Sequence, residues 1–190
     1  MGNRTMTKAV FLDRDGTLNK IVFDKQTEEC RPPWKFDEIE FYPLVFESLK
    51  TLQDNGFDLF IVTNQPDYAK GKTDMVSLLS VRQFILHMLI REGITLREYY
   101  WCAHSSFQQC QCRKPKPYFL FEAQKNHNID LQQSWMIGDS DIDIECGQSA
   151  GVHTIMIDEP TSIHRRGNSK PEHTVRDLKE VVEIITRKSL

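Results

Sequence analysis

The sequence predicts an α/β protein built on a doubly wound parallel sheet, and three observations lead there. Short apolar runs of strand length alternate along the chain with longer stretches of helical period. That order packs helices on both faces of a parallel sheet. The most reactive polar residues cluster directly after those runs, at the strand ends where open parallel sheets bind ligands. No internal repeat and no break in composition marks a second domain.

Ala9-Val10-Phe11-Leu12 reads as the first, buried strand by its β-branched and aromatic content. A polar insertion over 19–41 follows, stiffened by Pro32-Pro33 and suited to an ordered wall beside the strand end. The first helix is expected over 43–55, with Pro43 in its first turn, Phe46, Leu49 and Leu52 on one face, and Gly56 beyond its end. A strand over 57–62 and a helix over 74–92, ending at Gly93, come next. The pattern then gives a strand over 98–102, a helix over 117–127, a strand over 134–137, a helix over Asp141–Ala150 and a strand over His153–Ile157. A Pro/Gly/Ser-containing loop over 158–173 is expected to be mobile. Thr174 is read as the cap of a last amphipathic helix carrying Val175, Leu178, Val182 and Ile185. The expectation is one domain over 1–190, its core about 8–158, with a C-terminal loop and helix over 159–190.

A chain of 190 residues, 39% of them hydrophobic, is long enough to bury a core without extra staples. The net charge of −3, with no basic run beyond Arg165-Arg166, argues against a nucleic-acid partner. No run of 18 apolar residues exists, so no membrane span is expected. The first ten residues lack the apolar stretch of a signal peptide, which points to the cytoplasm. Met1-Gly2 lacks the Ser or Thr at position 6 that myristoylation wants, and the Asn3-Arg4-Thr5 sequon means nothing without secretion. Five cysteines, an odd number with three crowded into eleven residues, favour metal over disulfides.

Four polar clusters leave the predicted strands in turn. The first is Asp13-Arg14-Asp15-Gly16-Thr17 and the second Thr63-Asn64-Gln65. The third is Arg113-Lys114-Pro115, after the crowded cysteines, and the fourth runs Gly138-Asp139-Ser140-Asp141-Ile142-Asp143. Singly each is weak, since Asp-x-Asp-Gly is often a turn and Thr-Asn often a helix cap. Together they should converge on one rim. Cys102-x-His104 followed by Cys110-x-Cys112 is a second signal: three thiols and one imidazole match a closed tetrahedral zinc site. Such a site has no open position, so its expected role is structural, fixing Arg113 and Lys114 in place. The remaining cysteines and histidines have no such partners and read as ordinary side chains.

As an ordered set over about 10–157, the four clusters resemble the motifs of the haloacid dehalogenase (HAD) superfamily of phosphatases. The resemblance implies a Rossmann-like sheet, a magnesium ion and phosphomonoester hydrolysis through an aspartyl-phosphate. It casts Asp13 as nucleophile, Asp15 as acid and base, and Lys114 and Thr63 as partners of the phosphoryl oxygens. Mg²⁺ would be held by Asp13, Asp139 and the backbone carbonyl of Asp15, while Asp143 would orient Lys114 or a magnesium-bound water. Arg14, Asn64, Gln65, Arg113 and Ser140 are the candidate substrate contacts. The zinc loop running into Cys112-Arg113-Lys114-Pro115 is similar to two groups that lack a large cap domain, heptose 1,7-bisphosphate phosphatases and histidinol-phosphate phosphatases. Thr63-Asn64-Gln65 with Ala69-Lys70-Gly71 resembles the heptose group. The five-residue gap between His104 and Cys110 resembles the histidinol group. Pro66-Asp67 and Ser140 depart from the heptose pattern. The expected substrate is a phosphorylated sugar, the 7-phosphate of a manno-heptose 1,7-bisphosphate, with histidinol phosphate as alternative. A polynucleotide phosphatase or an inactive binding module are further alternatives. The net charge opposes the first, and the intact Asp13, Asp15, Thr63, Lys114 and Asp139 oppose the second.

Overall fold

The computed structural model describes residues 6–188, so the Met1-Gly2 and Asn3-Arg4-Thr5 readings lie outside the described residues. Six strands form one parallel sheet in the order β5-β4-β1-β6-β7-β8. They are β1 (Lys8–Leu12), β4 (Phe57–Asn64), β5 (Leu96–Cys102), β6 (Trp135–Gly138), β7 (His153–Ile157) and β8 (His173–Val175). From β1 the chain winds outward through β4 to β5, then returns to the other side of β1 and continues through β6, β7 and β8. The reversal opens a crevice at the carboxyl ends of β1, β4 and β6, where doubly wound sheets take their ligands.

Side chains alternate across the strands, so β1 sends Val10 and Leu12 to one face and Ala9 and Phe11 to the other. Three helices cover the first face: α1 (Val45–Asp54), α2 (Met75–Arg91) and α5 (Leu178–Lys188). Leu49, Ile85 and Ile185 are among the buried residues they contribute. The second face is covered by α3 (Tyr118–His127) and α4 (Asp141–Ala150), through Leu120, Ala123, Cys146 and Ala150. No helix among the described residues is long and apolar enough to cross a membrane.

Two segments differ from the sequence reading. Thr174 and Val175 lie in β8, paired with β7, and the last helix starts at Leu178. Asp177 caps it instead, its carboxylate accepting from Glu180 N at 3.0 Å, while Glu180 reaches back to Arg176 N at 2.9 Å. The loop over 158–173, expected to be mobile, contains a 3₁₀ turn over Pro160–Arg165 with Ser162 wholly buried. The insertion over 19–41 forms an antiparallel hairpin, β2 (Val22–Asp24) with β3 (Glu29–Arg31), followed by a 3₁₀ turn over Phe36–Glu38. Arg31 stiffens it by lying over the Trp34 ring at 4.0 Å and pairing with Asp24 and Glu38. Trp34 Nε1 donates to Asp67 Oδ2 at 3.0 Å, tying the insertion to the loop after β4.

Candidate active site

The chain leaves β1 through a turn that only glycine allows. Gly16 has φ +89°, and a Cβ there would collide with the Asp139 carboxylate. The same holds at the end of β6, where a Cβ on Gly138 would collide with the Asp143 side chain. These two glycines let the acidic ends of β1 and β6 approach one another, and Asp13 N donates to Ile137 O at 2.8 Å across the gap.

Lys114 reaches the same place from beyond the cysteine loop. Its Nζ lies 2.7 Å from Asp13 Oδ1, 2.7 Å from Asp143 Oδ1 and 2.6 Å from Val62 O. Burial would pull the ammonium down, but Asp13 and Asp143 hold it above the ordinary lysine range. Asn64 fixes the Lys114 backbone with a reciprocal pair: Asn64 Nδ2 donates to Lys114 O, and Lys114 N donates to Asn64 Oδ1, both at 3.1 Å. Asp143 is held by the start of α4, where Ser140 donates to it from its hydroxyl at 2.5 Å and from its backbone at 3.2 Å.

Both oxygens of Asp15 are gripped. Arg14 donates to them from Nε at 2.9 Å and Nη2 at 2.7 Å, Asn19 at 3.0 Å and Gln65 Nε2 at 2.7 Å. Gln65 also donates to Thr63 Oγ1 at 2.9 Å. Arg14 and Gln65 are thus placed differently from the substrate contacts that the sequence suggested. Each is about 1% exposed and turned toward Asp15, with Arg14 backed by the Tyr99 hydroxyl at 3.3 Å. Asn64, Arg113 and Ser140 do line the cleft, a space of about 350 Å³ shared with Asp13, Asp15, Thr63 and Lys114. Its far walls come from the hairpin, with Arg31 and Pro32, and from Asp67, Lys70 and Lys72 after β4. Arg165, in the 3₁₀ turn after β7, also lines it, and with Ser162 it contacts Asp139 Oδ2. Neither residue belongs to a sequence motif; the Arg165-Arg166 pair was the only local signal.

Oxygens of Asp13, Asp139 and Asp143 come within 4.8 Å of one another. Asp139 Oδ1 is buried without a hydrogen-bond partner among the described residues. Burial, then the charges of Asp13 and Asp143, push its carboxyl up to about 7. An oxygen-only donor set, short of positive charge and with an orphaned acceptor, fits a hard divalent cation.

Beside it, Cys102, His104, Cys110 and Cys112 form a second cluster. Cys112 Sγ lies 3.4 Å from Cys102, 3.6 Å from Cys110 and 3.3 Å from His104 Nδ1, and Cys102 lies 3.5 Å from both Cys110 and His104 Nδ1. A tetrahedron with metal–sulfur bonds of about 2.3 Å has edges of about 3.8 Å, so the four atoms fit one ion after slight expansion. Burial pushes the Cys102 thiol up to about 12, a cost that metal binding would remove. The loop braces the active site: Gln65 N donates to Cys102 O at 2.7 Å, and Arg113 Nη1 donates to His104 O at 3.3 Å.

A HAD-hydrolase-like family model matches residues 111–181, which span Lys114, Asp139 and Asp143. A D-glycero-β-D-manno-heptose-1,7-bisphosphate 7-phosphatase of Helicobacter pylori is 33% identical, covering 94% of this chain and 97% of its own. A D-glycero-α-D-manno-heptose-1,7-bisphosphate 7-phosphatase of Campylobacter jejuni is 31% identical, covering 80% of this chain and 82% of its own. A D,D-heptose 1,7-bisphosphate phosphatase from B. bronchiseptica, solved with magnesium and phosphate, shares the fold with a TM-score of 0.81 at 23% identity. That match covers 95% of this chain and 99% of the other. The chain therefore belongs to the HAD-like hydrolases and is a phosphatase.

Proposed function

We propose that the protein removes the 7-phosphate of a D-glycero-D-manno-heptose 1,7-bisphosphate through an aspartyl-phosphate on Asp13. The near-full-length likeness to 7-phosphatases of this sugar carries the substrate, and the Asp13–Lys114 pair at the carboxyl end of β1 supports the chemistry.

Asp13 attacks phosphorus with the carboxylate oxygen not committed to Lys114. Lys114 stays charged because Asp143 remains paired with it, and so neutralises the phosphoryl oxygens as the new bond forms. Thr63 contributes its hydroxyl to the same oxygens. Asp15, oriented by Arg14, Asn19 and Gln65, protonates the leaving sugar oxygen and then takes a proton from the water that hydrolyses the aspartyl ester. Asp13, Asp139 and the Asp15 carbonyl would hold Mg²⁺, which supplies positive charge for the meeting of two anions. Cys102, His104, Cys110 and Cys112 would hold Zn²⁺, which keeps the loop ahead of Lys114 rigid. Arg113 lines the cleft with Nη1 given to His104 O at 3.3 Å, and the rest of its planar guanidinium can meet the phosphate that is not transferred.

Phosphate release from the α and β anomers of heptose 1,7-bisphosphate, beside histidinol phosphate, tests the reading. At least one anomer should surpass histidinol phosphate in kcat/KM by an order of magnitude or more. Preference for histidinol phosphate would contradict it.

A further inference from the structure

The turn after β7 is built to reach the acidic cluster. Glu159 caps it by accepting from Thr161 N at 3.0 Å, and the Tyr42 hydroxyl donates to the other Glu159 oxygen at 2.5 Å. From that root, Ser162 Oγ and Arg165 Nη2 both contact Asp139 Oδ2, and Arg165 Nη2 also donates to Ser162 Oγ at 2.7 Å. Arg166 Nε donates to Asp139 O at 3.0 Å, so side chain and backbone of one aspartate are held from the same turn.

The charges explain the arrangement. Three buried carboxylates meet here, and Lys114 bridges only Asp13 and Asp143. Asp139 is left to Arg165. Yet the pair is a poor permanent fit. Arg165 Nε and Asp139 Oδ1 are both buried without a hydrogen-bond partner among the described residues, whereas settled buried pairs satisfy such atoms. About a third of the Arg165 side chain is exposed on the cleft wall, so the guanidinium has an open path away from Asp139.

We propose that Arg165 is a positioning residue, a resident counter-cation that holds Asp139 in the metal-free protein and yields it when the divalent cation binds. The proposal rests on the reading of Asp13 and Asp139 as magnesium ligands. It carries a definite sign. A cation entering between Asp13 and Asp139 meets a guanidinium already there, so Arg165 weakens metal binding while it stabilises the metal-free site.

Titration calorimetry of Mg²⁺ into zinc-replete protein tests this. Arg165→Gln should bind Mg²⁺ about tenfold more tightly than wild type, the size of an ordinary coupling between sites. Arg165→Lys, which keeps the charge, should stay much closer to wild type. Without Mg²⁺, Arg165→Gln should melt below wild type, and Mg²⁺ should raise its Tm by more. Should Arg165→Gln not fold, Ser162→Ala, which frees the guanidinium from one of its two partners, should tighten Mg²⁺ binding by a smaller factor. Equal or weaker Mg²⁺ affinity in Arg165→Gln, or in Ser162→Ala if Arg165→Gln does not fold, overturns the proposal, because a merely structural Arg165 would support the ligand geometry. Wild-type protein with no Mg²⁺ binding that Asp139→Asn removes would instead overturn the magnesium reading beneath it.

Discussion

Replacing Lys114 by Met keeps the length and apolar stem of the side chain but removes the ammonium that Asp13, Asp143 and Val62 O share. Lys114 is 2% exposed, so its loss strips the counter-charge from two largely buried carboxylates. Removing one partner of a buried ion pair costs about 3–5 kcal/mol. One ammonium here serves two carboxylates, which puts the loss near the top of that range. For a chain of this size each kcal/mol lowers Tm by about 2–4 °C, so Lys114→Met should melt roughly 8–20 °C below wild type. The second half of the prediction separates charge from packing. Lys114→Met combined with Asp143→Asn removes one of the stranded charges and should recover a substantial part of the lost Tm. Thermal denaturation in Mg²⁺-free buffer with zinc retained measures both. A single variant as stable as wild type, or a double variant no better than the single, would refute the charge argument. Neither variant should turn over substrate.

Further outcomes follow from the same geometry. The Asp139 carboxyl sits at about 7 in the folded protein, above its ordinary 3.8, so the native state binds that proton more tightly than the unfolded chain. Mg²⁺-free protein should therefore gain Tm as pH falls from 8 through 7 toward 5, and saturating Mg²⁺ should flatten that window. Cys112→Ala should lose zinc, whose apparent binding energy in small peptides is ~10–16 kcal/mol. Its activity should fall through a misplaced Lys114 while far-UV circular dichroism stays near wild type; elemental analysis of the purified protein checks the metal. Arg113→Ala should lower kcat/KM for heptose bisphosphate by about 1.5–3 kcal/mol and scarcely affect p-nitrophenyl phosphate. Equal losses on the two substrates would assign Arg113 to the transferred phosphate.

Most of this architecture was legible because its signals are local. Strand-length apolar runs and helical stripes marked the principal elements to within a few residues, and the polar clusters fell at the strand ends that the topology brings together. Three features were not legible, each for a physical reason. A three-residue edge strand is too short to show a period, and Thr174 is a good enough cap that Val175 reads as the first residue of a helical stripe. The Asp177 to Glu180 spacing was the better signal. The turn over Pro160–Arg165 looks mobile by composition, yet its fastening depends on Asp139, more than twenty residues away, which no local pattern reports. Arg14, a candidate substrate contact by sequence, sits between two motif aspartates. Its carbonyl closes the turn after β1, accepting from Thr17, Leu18 and Asn19 N, while its guanidinium folds onto both Asp15 oxygens and the Tyr99 hydroxyl, partners that no local pattern reports.

The central claim is that Asp13 carries the phosphoryl group. Enzyme mixed with heptose bisphosphate labelled in the 7-phosphate and quenched in acid within the first turnovers should yield label on the peptide containing Asp13. Asp13→Asn should yield none, and Asp15→Asn should retain label longer than wild type because hydrolysis of the ester is slowed. Steady turnover with no label on Asp13 at any quench time, or label on another residue, would contradict the account.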